Sequence, residues 1–177
     1  MVTPRFCTQC GGSLEWRRLQ DERHLQPVCT RCGHVEWLNP VPTSSALITR
    51  QLRSDGPVEV LLVRRALPPR LGHWDCPGGF VDPDEYPEEA LRRELREELG
   101  VEIDIRRFVG IFMDRYGDEG ESTLNIYYEA AIRNGTPSPA SDVSELGWFL
   151  LSHLPEPIAF DNNRQALRAL AGLYVLP

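Results

Sequence analysis

The stretch from Gly79 to Val101 decides the fold, and it reads GFVDPDEYPEEALRRELREELGV. It is typical of a loop that leads into a helix. Gly78 and Gly79 end any preceding strand because glycine adopts backbone angles that other residues avoid. Pro87 suits the first helical turn, since its missing N–H would have no helical partner there. Gly100 suits the residue that follows the last turn, so the stretch predicts a helix over residues 87–99.

One flank of the predicted helix carries three carboxylates. At about 100° per residue, a stripe of leucines faces inwards, formed by Leu91, Leu95 and Leu99. The carboxylates border this stripe, and they are Glu94, Glu97 and Glu98. Like charges four residues apart repel each other unless a cation lies between them, and carboxylate oxygens are ligands that Mg²⁺ and Mn²⁺ prefer. The alternative is a surface helix whose Glu/Arg face is solvated.

The whole stretch matches, without a gap, the signature of the Nudix hydrolases, G-x5-E-x7-R-E-U-x-E-E-x-G-U, in which U is aliphatic. The specified positions are filled by Gly79, Glu85, Arg93, Glu94, Leu95, Glu97, Glu98, Gly100 and Val101. The sequence therefore resembles this family. The resemblance implies an α/β/α sandwich and the metal-dependent hydrolysis of a nucleoside diphosphate that is linked to another moiety.

The resemblance also implies roles for the residues of the signature. The three glutamates of the helix, Glu94, Glu97 and Glu98, would hold Mg²⁺ or Mn²⁺ or handle the water, helped by the Gly78 carbonyl. Glu85 and Arg93 would form a structural pair that fixes the loop on the helix, and Gly79 and Gly100 would be structural as well. In some relatives a glutamate at the position of Glu145 reaches the metals. Glu145 is therefore expected either to reach the metals or to be a surface carboxylate.

Two Cys-x-x-Cys pairs near the N-terminus predict a metal site. They are formed by Cys7 and Cys10 and by Cys29 and Cys32, and eighteen residues separate the pairs. Four thiolates make a closed tetrahedral site that is typical of structural zinc, although His24 or His34 would be able to replace a cysteine. Residues 1–36 contain few large apolar groups, so they need a metal to fold. Cys76 is expected to be a small buried hydrophobe.

A turn or loop is predicted after the cysteine pairs, at Asn39, Pro40 and Pro42. We therefore predict a zinc-ribbon β-hairpin domain over residues 1–38 and a Nudix hydrolase domain of the α/β class over residues 39–177. Alternation and β-rich composition predict strands in the second domain, over 45–49, 58–65, 103–115 and 122–132, and the stretch 145–150 resembles a short strand of Nudix proteins. Helical spacing of apolar residues predicts a closing helix over 161–174.

Composition places the chain among globular proteins, because 41% of its 177 residues are hydrophobic and 25% are charged. The formal net charge of −7 argues against broad coating of nucleic acid and suits an enzyme that recruits cations to a phosphate substrate. No apolar run approaches the roughly 20 residues of a membrane span, and the N-terminus shows no signal-peptide core. These features predict a cytoplasmic protein that binds a small nucleotide, with nucleic acid an improbable partner.

Substrate specificity stays open at the level of sequence. Arg64 and Arg65 end the predicted strand 58–65, where they would face a phosphate or be solvated, and Tyr116 is a weak third candidate for a substrate contact. A ribbon ahead of a Nudix domain resembles the branch of NADH and ADP-ribose pyrophosphatases. The chain lacks the Ser-Gln-Pro-Trp-Pro-Phe-Pro string that marks NADH specificity in that branch. ADP-ribose, NADH, FAD and similar dinucleotides are therefore all candidates.

Two further expectations concern binding and assembly. A module that senses a nucleotide, or that binds nucleic acid or protein without turnover, is the alternative to an enzyme; the complete glutamate set favours the enzyme. Ribbon-bearing Nudix pyrophosphatases are similar to one another in often forming dimers. The ribbon also offers apolar side chains that need cover, namely Phe6, Leu14, Trp16, Leu25 and Trp37. We expect a homodimer, with the monomer as the alternative.

Overall fold

A computed structural model of the chain describes residues 4–20, 22–53, 56–117 and 120–174. The strands are β1 (Leu14–Arg18), β2 (Leu25–Cys29), β3 (Val41–Gln51), β4 (Val58–Arg65), β5 (Trp74–Asp75), β6 (Gly78–Phe80), β7 (Glu102–Arg115), β8 (Ser122–Asn134) and β9 (Val143–Leu150). The helices are α1 (Pro87–Leu99) and α2 (Asp161–Tyr174).

The strands form two sheets. β1 and β2 make an antiparallel hairpin of their own near the N-terminus. The other seven strands form one mixed sheet with the order β5-β4-β3-β8-β7, in which β6 also pairs with β3 and β9 also pairs with β4. One edge of β3 is shared, because its start pairs with β6 at residues 43–45 and its end pairs with β4 at residues 48–51. The other edge of β3 runs parallel to β8.

Helix α1 begins and ends at the residues that the sequence predicts. Tyr86 precedes it where Ser or Thr would be a usual cap, and its backbone N–H is instead accepted by the Glu89 carboxylate at 3.1 Å. Gly100 ends the helix in the left-handed conformation, with φ 67°. The three leucines of the predicted stripe, Leu91, Leu95 and Leu99, are fully buried.

The sheet is covered by a helix on each face, which confirms the predicted sandwich. Along β3, Ala46 and Ile48 pack on the α1 side, whereas Leu47 packs on the α2 side. Along β8, Tyr128 packs on the α1 side and Tyr127 on the α2 side. This alternation follows from the two-residue period of a strand. It produces two apolar cores, one on each face of the sheet.

One buried carboxylate interrupts the apolar order of β8. Glu129 is 1% exposed and accepts hydrogen bonds from Thr49 Oγ1 at 2.9 Å and from Arg107 Nε at 2.5 Å. The Tyr174 hydroxyl, in the last turn of α2, donates a third. Burial raises the pKa of Glu129, but these three hydrogen bonds outweigh burial and hold its pKa below the ordinary value. The end of α2 is thus tied to the middle of the sheet.

Strand β4 has the predicted bounds, and the other predicted strands are longer than predicted by one to six residues. The predicted strand 45–49 is the centre of β3, which spans Val41–Gln51. Strands β5 and β6 were not predicted, because two or three residues are too short to show a two-residue period. None of the helices in the described ranges is both long and apolar enough to cross a membrane.

Candidate functional site

A cavity of about 270 Å³ opens where the start of β3 faces β6 and helix α1. Thr43 and Ser45 of β3 form its floor, and Gly78 and Gly79 of β6 form one wall. The remaining lining comes from α1, from the loop before β9, from the start of α2, from the end of β4, from β5 and β8, and from the residue that follows β7. The split edge of β3 therefore creates the space in which side chains from distant parts of the chain meet.

Four carboxylates line this cavity: Glu94 and Glu98 from α1, Asp142 from the loop before β9, and Asp75 from β5. Glu98 is 7% exposed, and one of its oxygens accepts the Gly78 N–H at 3.1 Å. Burial, followed by the charge of Asp142, raises the pKa of Glu98 well above its usual range. Burial also raises the pKa of Glu94, with Glu97 and Asp142 adding repulsion. A cation between these carboxylates would relieve their mutual repulsion.

Two glycines allow these carboxylates to lie against the backbone of β6. A Cβ on Gly79 would come within 2.4 Å of the Glu94 carboxyl carbon. A Cβ on Gly78, whose φ is 139°, would come within 2.2 Å of the Ser44 carbonyl oxygen. Gly79 thus makes room for a functional side chain, whereas Gly78 makes room for the neighbouring strand.

Arg93 organises the loop before the helix. Its Nε and Nη2 atoms donate to both oxygens of Glu85, at 3.0 and 2.8 Å, and this pairing lowers the pKa of Glu85. Its Nη1 atom donates to Glu94 at 2.8 Å. Glu97 lies 3.7 Å from Arg93 Nη1, and its side chain is 56% exposed and does not line the cavity. Arg93 therefore joins the loop, the helix and one carboxylate of the cavity.

The structure places Arg64 and Glu145 away from the cavity. The register of β4 with β9 sets the two residues opposite each other. Arg64 Nη1 lies 3.0 Å from Glu145 Oε2, and both side chains are about half exposed. The predictions that involve Glu145 and Arg64 stay predictions. Asp142, three residues before Glu145, is the carboxylate of this loop that lines the cavity.

The other two predicted substrate contacts do line the cavity. Arg65 donates to Asp75 Oδ2 at 2.8 Å and to the Tyr116 hydroxyl at 3.0 Å. The ring of Tyr116 stacks on Phe160 with a centroid distance of 5.8 Å, and Phe80 meets its edge at 5.3 Å. The result is an aromatic wall with a guanidinium behind it.

Sequence reasoning missed several residues of the cavity, among them Asp75, Asp142, Phe160 and Asn163. Asp75 is buried, and burial raises its pKa although Arg65 and the Asn163 amide bind it. Little in the sequence pointed to them: Asp75 lies in the two-residue strand β5, and Asn163 lies in the first turn of α2, where the apolar spacing marks only the face towards the core. Only the folded chain brings them together.

The four cysteines converge at the N-terminal hairpin. Their sulfur atoms all lie within 4.8 Å of one another, and among the described residues no other set of three or more acidic, Cys or His ligands is as close. The sulfurs of Cys7 and Cys32 are 3.7 Å apart and those of Cys10 and Cys29 are 3.5 Å apart. A tetrahedral zinc site with Zn–S bonds of about 2.3 Å puts sulfurs about 3.8 Å apart, so the set fits zinc without either histidine.

Backbone N–H groups support thiolate at this site. The N–H groups of Arg31 and Cys32 donate to Cys29 Sγ at 3.4 and 3.5 Å. The hydrogen bond from Cys32 is the main cause that lowers the pKa of Cys29 to about 6. Cys76 lies apart from the cluster, buried in the core on the α2 side.

Comparison with known proteins matches both parts of the chain. The family model described as the NUDIX domain matches residues 41–170, and the zinc-ribbon model described as Nudix N-terminal matches residues 5–37. An ADP-ribose pyrophosphatase of Methanocaldococcus jannaschii is 31% identical over 62% of this chain and 67% of its own length. The NAD-capped RNA hydrolase NudC of Pseudomonas aeruginosa is 32% identical over 97% of this chain and 55% of its own. This chain therefore spans about half the length of that relative.

A solved structure has the same fold over almost the whole chain. The crystal structure of a NUDIX hydrolase from Nitrosomonas europaea superposes with a TM-score of 0.77, covering 98% of this chain and 95% of that one, at 22% identity.

The two glycines of β6 should respond differently to alanine. In Gly78→Ala the new methyl group meets the rigid Ser44 carbonyl, so we expect the free energy of unfolding to fall by about 1–3 kcal/mol. In Gly79→Ala only the end of the Glu94 side chain is in the way, and it is able to move, so we expect a loss below about 1 kcal/mol. Urea unfolding measures both. Equal losses in the two variants would contradict the distinction.

Proposed function

The chain belongs to the Nudix family, and on that premise we propose that it hydrolyses the diphosphate linkage of a nucleoside diphosphate derivative and releases a nucleoside monophosphate. The observation that carries the proposal is the set of carboxylates around one cavity, Glu94, Glu98 and Asp142. An aromatic wall and a guanidinium stand beside them. This combination is suited to a ligand that has a base, a charged diphosphate and bound cations.

We propose that Mg²⁺ or Mn²⁺ occupies the acidic side of the cavity. The donor set fits these ions, because they take carboxylate and carbonyl oxygens, here Glu94, Glu98, Asp142, the Gly78 carbonyl and, after a change of rotamer, Glu97. Mutual repulsion of the carboxylates supports the same proposal, since a cation would relieve it. A bound divalent cation offsets the negative charge of the diphosphate and acidifies a water molecule.

The protein groups would orient the reactants and accept a proton. Arg93 holds the Glu94 carboxylate, and the Gly78 N–H holds that of Glu98, so both are fixed before the substrate arrives. One of the glutamates Glu94, Glu97 and Glu98 would then accept the proton of the attacking water. Glu145 would reach the cavity only after leaving Arg64. We therefore propose Asp142, rather than Glu145, as the further carboxylate of the site.

On the substrate side, we propose that Tyr116 and Phe160 stack on a base or ribose and that Arg65 contributes positive charge. Arg65 is held by Asp75, so it is oriented without a ligand. ADP-ribose, NADH, FAD or a similar dinucleotide has the required parts. The relatives described above are named for ADP-ribose and for NAD-capped RNA, which supports an adenine nucleotide.

The competing proposal is a module that senses a nucleotide without cleaving it. A sensor has no need of three carboxylates that repel one another in a cavity, so the site favours turnover. Incubation with ADP-ribose and Mg²⁺, followed by chromatography for AMP, separates the two. Release of AMP supports the enzyme. Tight binding of ADP-ribose without release of AMP would support the sensor. A panel of dinucleotides in the same assay would then rank the substrates.

We also propose a cytoplasmic location, since the four thiolates of the hairpin need reducing conditions to stay available to a metal.

Glu98→Gln tests the role of the buried carboxylate. The substitution removes one charge and keeps the shape, so we expect kcat/KM for ADP-ribose to fall more than about tenfold while the melting temperature is preserved. Glu102→Gln is the matched control, because Glu102 lies on the surface of β7 in an ion pair with Arg133. If Glu98→Gln retains more than about a tenth of the activity, Glu98 is not a metal ligand or a base.

Cys29→Ser tests the zinc site. Purified protein should contain about one zinc per chain by metal analysis, and the variant should lose it because three thiolates no longer close the site. Cys76→Ala, which removes a thiol outside the cluster, should keep the metal. Wild-type protein without zinc after chelator-free purification would rule the site out.

We propose a homodimer, because several large apolar side chains are exposed on β7 and on the segment that precedes β3. These are Phe108, Ile111 and Met113 on β7 and Trp37 in the segment before β3. β7 ends the order of the sheet, so one of its edges is unpaired. Light scattering at micromolar concentration should give a mass of about 40 kDa, twice the 20.1 kDa of one chain. A mass near that of one chain would contradict the dimer.

A further inference from the structure

Three asparagines line the cavity, and one of them has an unused amide nitrogen. Asn125 accepts the Thr43 hydroxyl at 2.8 Å and donates to a backbone carbonyl at 2.9 Å. Asn163 accepts a tyrosine hydroxyl and donates to Asp75. The Nδ2 atom of Asn162, in contrast, has no hydrogen-bond partner among the described residues. The side chain of Asn162 is therefore the one of the three that can still donate.

The contacts of Asn162 fix the orientation of its amide group. Its Oδ1 atom accepts the Asn163 backbone N–H at 2.9 Å, and its own backbone N–H donates to Asp114 Oδ2 at 2.9 Å. A backbone N–H requires an acceptor, so the atom that faces it is the oxygen and Nδ2 lies on the other side. The orientation is thus set before any ligand binds.

The unused amide nitrogen is open to the cavity. Asn162 is only 5% exposed. Its Nδ2 atom is nevertheless not among the described polar side-chain atoms that are sealed from solvent without a partner. The small accessible surface of Asn162 therefore includes Nδ2, and the space that Asn162 lines is the cavity. A nearly buried donor in such a position is suited to one acceptor of a bound molecule.

The same residue lies beside the aromatic wall. Phe160, whose ring stacks on Tyr116, comes two residues before Asn162. Asp114, which holds the Asn162 backbone N–H, comes two residues before Tyr116. Both rings line the cavity together with Asn162. A base that stacks on this wall would therefore have its edge close to the Asn162 amide group.

We propose that Asn162 determines the base specificity of the site and selects adenine. Adenine carries a donor beside an acceptor, at N6 and N7, and an asparagine amide pairs with both. Asn162 offers the unused Nδ2 donor and the second lone pair of Oδ1. Hypoxanthine has acceptors at both positions, O6 and N7, so its O6 would face Oδ1 without a proton between them. The inference rests on the proposed function, because it requires a nucleotide in this cavity.

Two substrates that differ only in the base test the inference: ADP-ribose and inosine diphosphate ribose, in which hypoxanthine replaces adenine. With Mg²⁺, the wild type should have a kcat/KM about fivefold or more higher for ADP-ribose. Asn162→Ala should lower this ratio to about one. The ratio separates base recognition from general damage, because a loss of folded protein or of bound metal lowers both rates by the same factor.

Two further variants serve as controls. Asn162→Asp keeps an oxygen for the Asn163 N–H and replaces the Nδ2 donor by an acceptor. It should lower kcat/KM for ADP-ribose and keep the preference for adenine, because a carboxylate still accepts the N6 amine and repels O6. Asn163→Ala is the matched control. Both ends of the Asn163 amide are already used, so the variant should lower kcat/KM for both substrates alike and leave their ratio unchanged.

Three results would overturn the inference and leave the proposed function intact. The first is equal kcat/KM of the wild type for the two substrates. The second is an Asn162→Ala variant that melts cooperatively and keeps the wild-type ratio. The third applies if Asn162→Ala does not fold, and it is an Asn162→Asp variant that no longer distinguishes adenine from hypoxanthine.

Equilibrium dialysis without divalent metal separates this inference from the proposed function. Tighter binding of ADP-ribose than of inosine diphosphate ribose, lost in Asn162→Ala, would support the inference even if neither compound is cleaved with Mg²⁺. That combination would overturn the proposed function alone. An absence of both binding and cleavage would overturn the two together.

Discussion

The site depends on how closely the backbone of β6 approaches its two neighbours. On one side Gly78 lies against the Ser44 carbonyl of β3, and on the other Gly79 lies against the Glu94 carboxylate of α1. Neither contact leaves room for a Cβ. The same short strand donates a backbone N–H to Glu98. Helix α1, strand β6 and the carboxylates are therefore held at fixed distances from one another, and the cavity lies between them.

Electrostatic strain is concentrated where the chemistry is proposed. Glu94, Glu98 and Asp142 line one partly buried space, and their repulsion is offset in part by Arg93 at Glu94 and by the Gly78 N–H at Glu98. Elsewhere the buried carboxylate Glu129 is fully satisfied by three donors. The contrast between the satisfied Glu129 and the partly compensated set in the cavity supports the proposal that the second set binds a cation.

Local patterns made the helix, its glutamates and the cysteine pairs predictable. The signature glutamates lie within one helix, and each cysteine pair lies within one turn, so their spacing in sequence fixes their spacing in space. Asp142 and Asp75 were missed, because they reach the cavity only through the pairing of β4 with β5 and β9. The same pairing sets Glu145 opposite Arg64, a relation between residues 81 positions apart that no local period contains.

Helix α2 is fastened at both ends to β8. Near its start, Asn163 accepts the Tyr127 hydroxyl and donates to Asp75 at the rear of the cavity. At its end, the Tyr174 hydroxyl is held by Glu129. Helix α2 therefore connects the Tyr174–Glu129 contact at its C-terminal end to the cavity at its N-terminal end. Proteolytic trimming that removes Tyr174 would take away the attachment to Glu129 and so loosen the helix at Asn163, eleven residues earlier in the chain, and with it the support of Asp75 and Arg65.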